Sequence, residues 1–361
     1  MVVPPAEVRV NPPDPAHAAD HGAETIAVGS AARRRALRWA LRLVQLGPVV
    51  ILAILVVVMG ILSPYFFKSN NLTNLGFQTA VIAALAIGQL MVILTRGIDL
   101  SVGSTVALTG VLAAAVGATG WGAHLVPVLA VALAAGLGVG LVNGVVYVVG
   151  RVPHPFIVTL ATLGAVRGLA LIISGGETKT SIPPGVVTIG SGTVGIVPVS
   201  IIIVLGVALV AWVLLSRTQW GRWIYAIGGE PEAAKRAGLP VGRLLISVYA
   251  LCGLLAGLAG IITAGRTSAG SPTAGNLLEL DAITAVIVGG ASFFGGRGTV
   301  VNALVGALIL GVVRNGLDLL DVSAFYQQFA IGVIIIASVE LDVARGYLEE
   351  RLRALQGAQD E

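Results

Sequence analysis

Residues 100–150 contain no Asp, Glu, Lys or Arg. A membrane span needs about 20 apolar residues. This interval therefore holds two membrane helices, with a turn predicted at Thr119-Gly120-Trp121-Gly122. Residues 43–67, 69–95, 180–216 and 244–265 are also apolar, and uncharged. Only 11% of the chain is charged, against about 25% in soluble domains, and 56% is hydrophobic. The mean hydropathy is +0.93. A soluble globule and a largely disordered chain are both excluded. The 48 glycines follow no Gly-X-Y period, which excludes collagen. The apolar runs are continuous rather than alternating, which argues against a β-barrel. What remains is an all-α polytopic membrane protein.

Ten spans are expected, at about 44–62, 75–94, 101–118, 125–149, 156–174, 196–215, 244–264, 280–292, 299–316 and 324–341. The eighth is short enough to be broken or tilted. Residues 1–42 read as a cytoplasmic, largely disordered tail, 43–342 as the membrane domain, and 343–361 as a cytoplasmic C-terminal tail. The cluster Arg33-Arg34-Arg35, Arg38 and Arg42 precedes the first apolar run, which lacks a following cleavage site and is no signal peptide. With the N-terminus inside, 17 of the 22 basic residues fall in inner segments and four in outer ones, while Arg167 lies within a span. That asymmetry follows the positive-inside rule. Both termini are then cytoplasmic, in the inner membrane of a bacterium.

Gly136, Gly140 and Gly144 line one face of the fourth span, and Gly253 and Gly257 do so in the seventh. Such small faces let helix backbones approach closely. The single cysteine, Cys252, reads as a buried packing residue. The segment 216–243 is the longest polar stretch inside the membrane region. Within it Pro231 suits a first helical position and Gly238 a helix stop. Glu232 and Arg236 form an i,i+4 pair in the favourable order, and Ala233, Ala234 and Ala237 favour helix. A two-turn helix outside the bilayer is expected here, either a solvated linker or a docking element.

Seven stretches, in order, resemble the permease subunits of monosaccharide ABC importers of the ribose/xylose/galactose type. They are Leu94–Ser104, Pro155–Thr162, Gly221–Gly229, Glu232–Gly238, Glu279–Ile283, Gly289–Gly298 and Asn315–Leu317. The resemblance covers most of residues 75–342. It implies a permease related to type II ABC importers, working as a homodimer, with a sugar-binding protein outside and an ABC ATPase subunit or tandem ATPase inside. It also implies that the coupling helix that meets the ATPase comprises Glu230, Glu232, Ala233, Ala234, Lys235, Arg236, Ala237, Gly238 and Leu239. The family commonly has Gly where this chain has Arg96, and Asn where it has Glu230.

No G-x-x-x-x-G-K-[ST] occurs, so ATP hydrolysis is expected on the partner, with ATP and Mg bound there and no cofactor in this chain. His17 and His21 lack further ligands, His124 and His154 are isolated, and no metal site is expected. No basic aromatic patch suggests nucleic acid. Charges in or near the bilayer are functional suspects: Asp99 as helix cap or gate, Glu279 and Asp281 as outer-face caps or contacts, and Arg167 with an unidentified partner. Neutral pathway candidates are Gln78 and Gln89, about three turns apart, with Ser101, Thr159, Thr162 and Asn315. These few charges are a poor proton relay, which weakens the rival reading as an ion-coupled carrier. A permease for a nucleoside, cyclitol or other small polar solute is the nearer alternative. No nucleophile–base pair supports a membrane enzyme.

Overall fold

The computed structural model describes residues 46–357. The N-terminal tail, with its arginine cluster and His17 and His21, lies outside the described residues. Residues Gly47–Asp342 form one compact body, and the chain beyond Asp342 belongs to a second unit, described only as the continuing helix.

The helices are α1 (Leu46–Leu62), α2 (Ser69–Leu94), α3 (Val102–Gly117), α4 (Leu125–Val149), α5 (Pro155–Ser174), α6 (Pro184–Ser191), α7 (Val199–Arg217), α8 (Gln219–Gly229), α9 (Pro231–Arg236), α10 (Val241–Thr267), α11 (Leu278–Val288), α12 (Val300–Leu319) and α13 (Ala324–Gly357). A short 3-10 turn, Gly120–Ala123, joins α3 to α4 at the expected place. A two-stranded hairpin, β1 (Thr193–Val194) and β2 (Val197–Pro198), leads into α7. Among the described residues, seven helices are long and apolar enough to cross a membrane, and α1 and α3 are shorter apolar helices. The expected eighth span is α11, with 11 residues. At about 1.5 Å per residue the helix alone reaches only half of a roughly 30 Å hydrocarbon core; the non-helical segment before it makes up the rest of that passage. The helix α13 runs on to Gly357, past the expected limit at 341.

Burial separates the helices by role. From Thr79 to Leu94 every residue of α2 is buried, as expected of a central helix that is apolar all round. In α4 the packing is reversed from that of a soluble protein. Gly136, Gly140, Asn143 and Gly144 are buried, while Leu141, Val142, Val145, Val146 and Val149 are exposed. That face suits lipid. A Cβ on Gly136 would strike the Gly253 carbonyl, and one on Gly140 the Tyr249 carbonyl. The small faces noted in the sequence thus meet each other, and α4 and α10 pack backbone to backbone.

The helix order repeats with inverted direction. The two longest buried helices, α2 and α10, run antiparallel: Asn74 faces Arg266, and Gly88 faces Cys252. Each is followed by a break, a short buried helix (α3 or α11), and two longer helices (α4 and α5, or α12 and α13). The long helix of each half packs on the other: α10 against α4, and α2 against α12, where Asn71 and Asn315 exchange amide hydrogen bonds at 2.9 Å. Inverted repeats with discontinuous helices are a recurrent transporter architecture.

Candidate functional site

Both breaks return into the bundle. After α2 the chain turns at Arg96, whose φ is +63°, and folds back along the helix it has just left. The Gln89 amide, oriented to suit its neighbours, donates to the Asp99 carbonyl at 3.2 Å and accepts from the Asp99 N–H at 3.1 Å. Asp99 itself is buried. Its carboxylate accepts from the Ser101 N–H at 2.8 Å and the Ser101 hydroxyl at 2.7 Å. The Asn143 amide donates to the Ser101 hydroxyl oxygen at 2.8 Å and reaches both Asp99 oxygens at 3.4 Å. The Asp99 side chain thus organises the start of α3, and Gln89 clamps the backbone beneath it. Thr159 of α5 donates to the Ile98 carbonyl at 3.3 Å. Thr162 bonds back to its own helix at Val158.

The second break follows α10. Gly270 lies against Gly110, and Gly275 against the Gly103 carbonyl and Val106. Those α3 residues are seven apart, so the segment descends about 10 Å beside α3. Arg167 of α5 holds it, donating to the Pro272 and Ala274 carbonyls at 2.7 Å each. These carbonyls, not a carboxylate, are its hydrogen-bond partners. The chain then enters α11 through Leu277, at φ +66°. Glu279 and Asp281 were expected at the outer face, but both are buried. The reason is that α11 begins inside the bundle. The Glu279 carboxylate lies against Gly103 in the first turn of α3, where the helix dipole favours an anion. Asp281 takes both oxygens to Arg314 Nη2 at 2.8 and 2.6 Å. The two broken helices therefore meet at Gly103, Gly275 and Glu279.

The polar loop between α7 and α10 holds two helices. The first, α8, was not expected as a separate element. Thr218 caps it, and Trp220 Nε1 ties it to Ser247 Oγ of α10 at 2.9 Å. The second, α9, has six residues, shorter than the two turns expected. Ala234 anchors it by burial. Glu232, Ala233, Lys235, Arg236, Ala237 and Gly238 are exposed, Glu230 precedes the helix, and Leu239 packs inward. Directly before α9, Gly228 is wedged between the Leu94 carbonyl and Gly296, with no room for a Cβ. Arg96 donates to the carbonyls of Gly228 and Gly229, and the Gly296 N–H donates to Leu94 O at 3.0 Å. Tyr225 OH donates to Gly298 O at 2.7 Å. One end of α9 is therefore fastened both to the turn after α2 and to the Gly295–Gly298 turn before α12. Asp342 of α13 completes the second attachment, accepting from Ser292 Oγ at 3.0 Å and Phe293 N at 2.9 Å.

The pathway candidates do not share one site. Gln89, Asp99, Ser101 and Thr159 belong to the first break, and Asn315 pairs with Asn71. Gln78 opens on a cavity at the opposite end of α2, with Arg266, Arg314, Asp318 and Gln327. Asn143, Asp318 and Gln327 were missed in the sequence. Asn143 carried a signal, a lone amide between Gly140 and Gly144 on the packed face of an uncharged span.

Residues 71–339 match the family described as branched-chain amino acid transport system / permease component. The chain is 44% identical to the ribose import permease protein RbsC of Escherichia coli K12 over 295 residues, 81% of this chain and 91% of the relative. It is 38% identical to the D-allose transport system permease protein AlsC of the same strain over 323 residues, covering 89% and 98%. It is 38% identical to the fructose import permease protein FrcC of Rhizobium meliloti over 311 residues, covering 82% and 84%. No solved structure matches significantly. With two inverted sets of broken helices, a loop fastened to the first break and to the turn before α12, and a family match over most of its length, this multi-pass membrane protein belongs to the family of branched-chain amino acid transport system permease components.

Proposed function

We propose that this chain is the membrane subunit of an ATP-driven importer, forming the pathway for a monosaccharide. The sugar reading is supported by the names of the ribose, allose and fructose relatives. Two copies form the pore in the bacterial inner membrane, with both termini cytoplasmic. A partner ATPase carries ATP and Mg, this chain carries no cofactor, and an extracytoplasmic binding protein delivers the sugar.

The observation that carries this reading is the attachment of α9. An exposed helix that belongs to no span is tied through Gly228 and Gly229 to Arg96, in the break after α2, and to Gly296, in the turn between α11 and α12. A push on α9 from a nucleotide-driven partner moves the first break and the end of the half-helix α11 together. Imaging of the assembled complex tests this. The ATPase should contact Glu232, Lys235 and Arg236. An assembled complex in which these side chains face open solvent contradicts it.

A further inference from the structure

At the α9 end of the body the glycine seam of α4 and α10 closes with Gly242 against Val148. Arg243 lies in the first turn of α10, and Arg151 follows the last turn of α4. The two therefore stem from points about one helical turn apart along the seam. Arg151 holds the left-handed position after α4, at φ +51°, with the Val152 N–H closing on the Tyr147 carbonyl at 3.2 Å. Glycine is the usual residue there, so an arginine is costlier than the turn requires. Both arginines are exposed, and among the described residues neither guanidinium has an ion pair or a hydrogen bond. His154, three residues on, is also exposed. Its Nδ1 accepts from the Phe156 N–H at 3.2 Å, which puts the neutral ring's proton on Nε2 as a third donor. Other cations at this end differ. Arg96 is bonded to Gly228 and Gly229, and Arg217 lies over the Trp212 ring at 5.4 Å. Arg222 of α8 is exposed, yet α8 and α9 expose no large apolar side chain. Arg151 and His154 are instead flanked by exposed Val145, Val146 and Val149 of α4 and exposed Phe156 and Ile157 of α5.

We infer that this corner binds an anionic glycerophospholipid from the leaflet on the α9 side. Arg151 and Arg243 hold the phosphate, His154 adds a donor to the headgroup, and the apolar faces of α4 and α5 carry an acyl chain. Guanidinium groups match phosphate oxygens in pairs, and basic sites between spans hold anionic headgroups. Uncompensated positive charge beside exposed apolar surface fits an amphiphile of opposite charge. A lipid without net charge leaves the cations unbalanced, and a soluble phosphate leaves the apolar flank uncovered. The inference does not depend on which solute is carried. It makes the end of the α4–α10 seam a point where the composition of the bilayer acts on the permease.

The test uses the full-length permease in nanodiscs of phosphatidylcholine and phosphatidylglycerol in equal amounts, with the lipids it retains counted by native mass spectrometry. The wild-type chain should retain phosphatidylglycerol in preference to phosphatidylcholine. Arg151→Gly combined with Arg243→Gln should lower that ratio by roughly fivefold or more, since two cations leave the headgroup. Glycine suits the left-handed backbone at 151, so Arg151→Gly alone keeps the fold and should already lower the ratio. Arg222→Gln removes a charge at the same end and should leave the ratio unchanged. A ratio unchanged in the double variant overturns the site. An equal fall in Arg222→Gln and Arg151→Gly also overturns it, because the preference then reflects diffuse surface charge. Co-purification of the ATPase is followed in parallel and should be normal. Its loss from the double variant assigns the corner to that partner and overturns the lipid site.

Discussion

Arg96 Nε lies 2.7 Å from the Gly228 carbonyl oxygen, and the other end of the same guanidinium donates to the carbonyl of Gly229. One side chain thus satisfies the last carbonyls of α8, where cations are favoured by the helix dipole, and locks the turn after α2 to the loop that carries α9. It does so from a left-handed backbone, φ +63°, which costs a non-glycine residue about 1–2 kcal/mol. Hydrogen bonds from a charged donor contribute about 1.5–3 kcal/mol each. The strain is therefore offset by the contacts it permits.

Replacing Arg96 separates these effects. Arg96→Ala and Arg96→Gly both lose the two hydrogen bonds, and both should lower solute taken up per ATP hydrolysed. Glycine adopts the positive φ freely, so Arg96→Gly should be more stable than Arg96→Ala by about 1 kcal/mol. Thermal unfolding in detergent reads the difference. A less stable glycine variant contradicts the strain argument.

On α9, Glu232→Lys and Arg236→Glu change exposed side chains, and such changes usually alter stability by less than about 0.5 kcal/mol. Both variants should reach the membrane in normal amounts and bind the ATPase poorly or leave its hydrolysis uncoupled from uptake. Normal coupling in both variants contradicts a docking role for α9.

The α4–α10 seam offers a position-specific contrast. Gly138 has nothing within 4 Å of an added Cβ, whereas a Cβ at Gly140 overlaps the Tyr249 carbonyl. Gly138→Leu should be tolerated and slightly favoured by helix propensity. Gly140→Leu must force the helices apart and should abolish recovery of folded protein. Size-exclusion profiles of the two variants side by side read this directly.

Much of this architecture was legible in the sequence because lipid imposes it. Uncharged runs located the spans, and four-residue glycine spacing located the seam that Gly136, Gly140 and Gly253 form. The breaks were harder to read. A stretch such as Asp99-Leu100-Ser101 has the same composition whether it caps a helix at the membrane surface or inside the bundle. Depth is set by the clamp from Gln89 and by Asn143 on another helix, and neither contact has a local sequence signature. The same holds for Glu279 and Asp281, whose positions near the start of a short apolar run suggested a surface end. Their burial follows from the descent of residues 270–277 beside α3, a tertiary effect. Segment 219–229 was read as part of a polar loop because Trp220, Trp223 and Tyr225 are spread among polar residues; its helix is stabilised by packing on α10.

The Asp281–Arg314 pair gives another stability test. Asp281 is 1% exposed and the Arg314 side chain 32%. Asp281→Ala leaves the guanidinium partly buried without its carboxylate, and breaking a buried pair costs about 3–5 kcal/mol. The partial exposure of Arg314 puts the expected loss at the low end of that range. Asp281→Leu combined with Arg314→Met should recover much of it, since an apolar pair of similar volume avoids the unpaired charge. Apparent unfolding temperatures of the two variants, compared with wild type, check both statements.

The most direct measurement is radiolabelled monosaccharide uptake into proteoliposomes holding this permease, with the ATPase, the binding protein and ATP each omitted in turn. Uptake is predicted only when all are present, and it should be indifferent to collapse of the proton gradient. Uptake by the permease alone, driven by an ion gradient and unaffected by removal of ATP, contradicts the account.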